Sequence, residues 1–226
     1  MDTLEERLGY RFRDRNLLCA AMIHSSYANE HRGSGLASNE RLEFLGDAIL
    51  EASVSLLLFS EYHDKQEGEL TRMRASLVCE RSLGSCGKAF GLQSFILLGK
   101  GEELSGGRER VSITADAVEA LIGAVCLDGG FEEADRVIRL LLAPSLEKAG
   151  RGEFMTDAKT ELQEYLQSKG VTSISYRIVS ESGPDHAKSF EAEVCENERP
   201  VGRGSGRSKK EAEAAAAEDA LSRIKR

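Results

Sequence analysis

No apolar run in this chain is long enough to cross a bilayer. Even a strongly apolar stretch such as Val54-Ser55-Leu56-Leu57-Leu58-Phe59 falls far short of the roughly 20 residues that a transmembrane helix needs. The opening segment Met1–Arg7 is charged and carries no apolar h-region, so no secretory signal is expected. The five cysteines (Cys19, Cys79, Cys86, Cys126 and Cys195) are odd in number, scattered and never paired as CxxC. That excludes a disulfide frame and a zinc cluster, and reads as buried thiols in a reducing cytoplasm. No proline occurs before Pro144, which suits long helices joined by glycine turns. Positive charge is also in deficit: the net charge is −8 and the pI about 5.2. On the sum alone, nucleic-acid binding would be rejected.

The distribution of charge points the other way. Of the −8, residues 1–153 carry −7 and residues 154–226 only −1, and Arg199–Lys210 holds five basic residues and no acid. A local basic stripe attracts phosphates whatever the global sum. With 41% hydrophobic and 30% charged residues, the chain is expected to be a soluble globular protein of one or two domains.

Apolar residues recur at three- and four-residue spacing over 14–22, 39–60, 69–90, 113–127 and 131–147, so the first part is predicted to be all-α. Residues 150–154, small, polar and glycine-containing, are expected to link units at 1–149 and 155–226. The second unit has a different grammar. A helix over 157–167 stops at Gly170, and alternating strands are expected at 175–179 and 190–195, with a third near 199–205. Ser208 then stands at an N-cap position before an alanine-rich helix, Lys209–Ile224. The order is α-β-β-β-α, an α+β fold with the last helix packed closely on a sheet.

The segment Asn39-Glu40-Arg41-Leu42-Glu43-Phe44-Leu45-Gly46-Asp47 is the most informative. At ~100° per residue, Glu40, Glu43 and Asp47 share one face while Leu42, Leu45, Ile49 and Ala52 form the other. Like charges so placed cost helix stability. A second pair, Asp116 and Glu119, has i, i+3 spacing on an apolar helix, with Ala120 and Gly123 near the same face to let another helix approach. Spacing alone leaves two readings: a solvated helix face, or carboxylates converging on a cation. If a cation, hard oxygen donors without His or Cys select Mg²⁺ or Mn²⁺, whose usual work is phosphoryl transfer or phosphodiester hydrolysis. Neither array has a His three residues on, as di-iron bundles would. His24 and His63 read as core or surface residues.

Residues 39–47 resemble the signature motif of the ribonuclease III family. The resemblance extends to Leu4-Glu5 with Leu8-Gly9-Tyr10-Arg11-Phe12, to His24-Ser25-Ser26-Tyr27, to Glu67-Gly68 with Leu70–Ala75, and to Ala115–Gly123. The C-terminal part resembles a double-stranded-RNA-binding domain in its first helix (Asp157–Glu164), in Gly183-Pro184-Asp185-His186 and in Gly202–Glu213. Departures are small: Ala48 where many members have Ser, and Ala158 where Pro is frequent.

The resemblance implies a Mg²⁺-dependent endoribonuclease, with Mn²⁺ as a possible substitute and no small-molecule cofactor. It would act in the cytoplasm, without a membrane, on double-stranded RNA. The products would carry 5′-phosphate and 3′-hydroxyl ends with short 3′ overhangs, from ribosomal RNA precursors and structured transcripts. It implies metal ligands Glu43, Asp47, Asp116 and Glu119, of which Asp47 and Glu119 are also catalytic, with Glu40 and Glu67 as supporting acids. It implies RNA contacts by Lys159, Thr160, Gln163, Glu164, Gly183, Pro184, Asp185, His186, Ser208, Lys209 and Lys210. It implies a homodimer with one active site per strand, and Phe44, beside the apolar stripe, is the candidate dimer contact. Two other classes remain: a catalytically idle RNA-binding protein, and a metal-dependent phosphohydrolase of small molecules. Incubation with long duplex RNA, with and without Mg²⁺, separates all three.

Overall fold

A computed structural model describes residues 1–150, 158–171, 173–183 and 188–224. Contacts divide the chain into two compact units, Met1–Met155 and Thr156–Arg226. Of the expected linker, residue 150 is the last of a helix, and 151–154 lie outside the described residues.

The described part of the first unit is helical: α1 (Asp2–Leu8), α2 (Arg15–Ala21), α3 (Ser25–Glu30), α4 (Glu40–Glu61), α5 (Glu67–Val78), α6 (Glu80–Phe90), α7 (Lys100–Leu104), α8 (Val111–Gly129) and α9 (Phe131–Gly150). At its centre is α8, whose Ala117, Val118, Leu121, Ile122 and Val125 are buried. A helix apolar on nearly every side must be surrounded, and α2, α4, α6 and α9 all pack on it. The single helix expected over 69–90 is two. Cys79 adopts an extended backbone (φ −68°, ψ 152°) between α5 and α6. The chain turns there because α5 packs on α4, whereas α6 must lay Gly84 and Gly87 against Val111, Thr114 and Val118 of α8. Periodicity is blind to that change of direction, since both helices bury one face. The only β-feature described in this unit is an isolated parallel bridge between Ile23 and Leu97.

Two helices meet with unusual closeness at Gly46 of α4 and Gly123 of α8. A Cβ on Gly46 would lie 1.7 Å from the Glu119 carbonyl oxygen, and one on Gly123 would lie 2.3 Å from the Leu42 carbonyl oxygen. Backbone touches backbone, which no residue larger than glycine allows here.

In the second unit, α10 (Ala158–Ser168) precedes an antiparallel sheet of β1 (Ile174–Ser182), β2 (Ser189–Glu196) and β3 (Arg199–Gly206) in the order β1-β2-β3, covered by α11 (Lys209–Ile224). Ala192 and Val194 of β2 face Ala212, Ala216, Ala217 and Ala220 of α11, with Leu162 and Leu166 of α10 completing the core. The alanine tract is explained by β3. A Cβ on Gly202 would sit 2.3 Å from the Ala216 carbonyl oxygen, and one on Gly204 2.2 Å from the Ala216 nitrogen. Glycine on the strand and alanine on the helix set a short sheet-to-helix distance.

The α4–α8 crossing generates a prediction. Gly46→Ala inserts a methyl group into backbone and should cost about 3 kcal/mol or more, the upper range of overpacking. A urea midpoint equal to that of the parent would show that the helices can part without loss.

Candidate metal centre and RNA-binding surface

The crossing brings the two acid arrays together. Glu43 of α4 and Asp116 and Glu119 of α8 each offer a carboxylate oxygen, and these oxygens all lie within 4.8 Å of one another. All three side chains are half-buried. Among the described residues, no lysine or arginine pairs with them. Burial raises the Glu43 carboxyl first, and the charges of Asp116, Glu40 and Asp47 raise it further. Glu119 is pushed up to about 7 by burial, then by Asp47, Asp116 and Glu43. Asp116 is raised by burial and by Glu80, and lowered by His24. Anions held this close without a basic partner are what a hard divalent cation would neutralise, so the donor set fits Mg²⁺ or Mn²⁺.

Asp47 stands apart from the group of three. It is exposed on α4, one turn beyond Glu43, yet close enough to act on both Glu43 and Glu119. Glu40 is exposed on the first turn of α4, where its carboxylate accepts from the Ser38 hydroxyl at 2.6 Å. Glu67 is exposed at the start of α5 and accepts from Thr71 Oγ1 at 2.9 Å; no contact with the acid group is seen among the described residues. Phe44 points outward from α4, 80% exposed.

Sequence reasoning missed two neighbours of Asp116. Glu80 is the first residue of α6, and a lone acid at a helix start gives no signal. His24 read as a core or surface histidine. It is half-buried, and its Nδ1 accepts the Ser26 backbone N–H at 3.2 Å, capping α3. The chain leading into His24 is anchored by Asn39, a buried residue of the signature motif. The Asn39 backbone N–H donates to the Ile23 carbonyl at 2.8 Å, its side-chain amide donates to the Ala21 carbonyl at 3.3 Å, and its own carbonyl accepts the Glu43 N–H at 2.9 Å. One residue thus ties the acid-bearing turn of α4 to the segment that ends in His24.

In the second unit, Lys209 and Lys210 are exposed on the first turn of α11, and no carboxylate pairs with either among the described residues. Lys209 Nζ lies 6.0 Å from the centre of the Phe190 ring. Ser208 uses its hydroxyl as a cap, accepting the Glu211 N–H at 3.2 Å, while the Glu211 carboxylate accepts the Arg207 N–H at 2.8 Å. Gln163 is exposed on α10 and, with Gln167 one turn on, lines a cavity of about 400 Å³ shared with Lys159, Val171, Ile174 and Tyr176. Gln167 was also missed, although its spacing from Gln163 was visible. Lys159 is engaged internally, donating to Glu213 at 2.7 Å. Gly183 follows β1 with φ 92°, a left-handed conformation that favours glycine. Pro184, Asp185 and His186 lie outside the described residues, as do the side chains of Thr160 and Glu164.

The acid cluster generates a pH prediction. A carboxyl whose folded pKa is raised favours the folded state while protonated, and that advantage is lost as pH climbs from about 4.5 to 7. Metal-free protein should melt at a higher temperature at pH 5.5 than at pH 8, with the gap narrowed in Glu119→Gln. Metal holding has the opposite sign, because it needs the ionised form. Affinity for Mg²⁺, read by calorimetry, should fall as pH drops below 7; an affinity flat down to pH 5 would refute the assignment.

Comparison with known proteins gives this geometry a family. Residues 14–146 match the family model described as ribonuclease-III-like, and residues 158–224 match the double-stranded RNA binding motif. Ribonuclease 3 of Caldanaerobacter subterraneus is 48% identical over 221 residues, covering 98% of this chain and 96% of its own. Ribonuclease 3 of Streptococcus uberis is 49% identical over 218 residues, covering 96% and 94%. The solved nuclease domain of ribonuclease III from Campylobacter jejuni, described as having a flexible region involved in dimer formation, is 41% identical with a TM-score of 0.59, covering 63% of this chain and 96% of that one. With an all-α nuclease unit of converging carboxylates followed by an α-β-β-β-α RNA-binding unit, this chain belongs to the ribonuclease III family.

Proposed function

We propose that this chain is a Mg²⁺-dependent endoribonuclease that cuts both strands of double-stranded RNA as a homodimer in the cytoplasm. As in its family, hydrolysis leaves 5′-phosphate and 3′-hydroxyl ends with short 3′ overhangs, and the substrates are ribosomal RNA precursors and structured transcripts. The observation that carries the reading is the meeting of Glu43, Asp116 and Glu119 oxygens within 4.8 Å of one another. Glu43, Asp47, Asp116 and Glu119 would hold the metal, with Glu40 and Glu67 in support; oxygen donors of this kind also accept Mn²⁺. A bound ion would supply a Lewis acid and a more acidic water for phosphodiester hydrolysis. The chain's own contribution is to hold these carboxylates converged without a competing cation.

Duplex RNA is read by its shape, across two minor grooves and the major-groove phosphates between them. In this reading Gln163 of α10, with Thr160, Glu164 and the 183–186 segment, meets minor-groove 2′-hydroxyls. Lys209 and Lys210 meet phosphates at a helix N-terminus, where amides and dipole add to their charge. Homodimer formation is supported by the outer stripe of α4: Phe44, Leu56 and Phe59 are 80%, 58% and 72% exposed. At ~100° per residue the three fall within about 120° of one another, and large apolar side chains exposed on one side of a helix mark an interaction surface. A two-fold axis would place one acid set on each antiparallel strand. No described helix is long and apolar enough to cross a membrane, and the five cysteines are unpaired, as in a reducing compartment.

Two lines of experiment test this. Lys209→Ala with Lys210→Ala should weaken binding to every duplex alike and lower the slope of log K against log salt by roughly one per lost phosphate contact. An altered sequence preference at an unchanged slope would contradict the phosphate role. Glu119→Gln should fold and bind RNA but lose cleavage by about 100-fold or more. A mixed dimer of wild-type and Glu119→Gln subunits, purified by two tags, should nick one strand and spare the other. Double-strand breaks from that species in a single binding event, resolved on native and denaturing gels, would rule out one site per strand.

A further inference from the structure

We propose that Lys159 is a positioning residue for duplex binding, fixing α10 against α11, and not a phosphate ligand. The inference rests on the reading that the second unit binds double-stranded RNA. Lys159 Nζ donates to Glu213 Oε2 at 2.7 Å, with side-chain exposures of 31% and 26%. The same ammonium lies 4.4 Å from the centre of the Tyr176 ring. One charge therefore joins three elements: α10 through its own backbone, α11 through Glu213 and β1 through the Tyr176 face. An ammonium already neutralised by a carboxylate and seated on an aromatic ring carries little free positive potential, so it would release few counterions from a duplex. Lys209 and Lys210 differ in their charge: both are exposed and neither pairs with a carboxylate among the described residues, and the Phe190 ring lies 6.0 Å from Lys209 Nζ against 4.4 Å for Tyr176 and Lys159.

The position of the pair gives it a function. Glu213 lies one helical turn beyond Lys209 on α11. Lys159 lies one turn before Gln163 and two before Gln167 on α10, and all three border the same cavity. The ion pair thus fixes the distance between the residues expected at the minor groove and the lysines expected at phosphates. A duplex presents those two features at a set spacing, so a unit that holds the spacing before binding does not lose affinity to ordering it afterwards.

The experiment is the dissociation constant of the full chain for a blunt RNA duplex, over a KCl series with a chelator present to prevent cleavage, well below the melting temperature. The variants are Lys159→Gln, Glu213→Gln and the two combined. Positioning predicts that each single variant weakens binding about fivefold, that the salt slope stays at the wild-type value, and that the double variant is no weaker than either single one. Glu213→Gln decides even if Lys159→Gln fails to fold. A phosphate-binding Lys159 would be released by loss of its competitor, so Glu213→Gln would bind RNA more tightly, and Lys159→Gln would lower the slope by roughly one. Either result overturns the proposal. So does a shift in melting temperature with wild-type affinity, which would make the pair merely stabilising. Failure of the wild-type chain itself to bind duplex RNA would instead overturn the functional reading beneath it.

Discussion

The contact of α4 with α8 at Gly46 and Gly123 is the constraint on which the nuclease unit depends. The carboxylates of the two helices converge at a crossing where the limit of approach is backbone against backbone. The apolar stripe of α4, including Leu50, Val54 and Leu58, and the buried body of α8 pull the helices together. The glycines let them arrive. At the same crossing Glu43, Asp116 and Glu119 are partly buried, which raises all three carboxyls, and neighbouring acids raise Glu43 and Glu119 further. The hydrophobic core holds the acids in an arrangement they would not adopt alone, which leaves the site with an unmet need for positive charge.

The second unit uses the same device for another end. Gly202 and Gly204 on β3 and alanines on α11 bring strand and helix into close contact, which sets where the first turn of α11 stands relative to the sheet. Its lysines are exposed there, while the nearby acids are engaged in internal bonds: Glu211 with the Arg207 N–H, Asp219 with the Arg203 N–H, and Glu213 with Lys159. A net-acidic chain can still present a basic helix end, because Glu211, Asp219 and Glu213 are committed to the backbone and to other cations and pair with neither Lys209 nor Lys210.

Much of this was legible one element at a time. The helical period gave α4, α8 and α9, and strand alternation gave the sheet. The grouping of Glu40, Glu43 and Asp47 on one face, and of Asp116 with Glu119, followed from ~100° per residue. The break at Cys79 was not legible, because no glycine or proline marks it and the direction of α6 is set by α8. His24 and Glu80 were invisible as neighbours of Asp116, since each comes from a different stretch of chain. Lys159 was expected at RNA, and its ion pair was not legible because the partner, Glu213, is 54 residues away.

The sequence by itself determined the long elements apart from the α5–α6 break, their faces, the residue types able to hold a hard cation, and, through its dense motifs, the family. Those properties depend on spacing along one helix or strand, which local geometry fixes. Tertiary structure alone decided which acids actually meet and which stand aside: Glu43 with Asp116 and Glu119, but Asp47 exposed beside them and Glu67 bonded to Thr71. It alone decided which lysines face solvent and which are paired. These are distances between segments far apart in the chain, set by the packing of whole helices, and no local period encodes them.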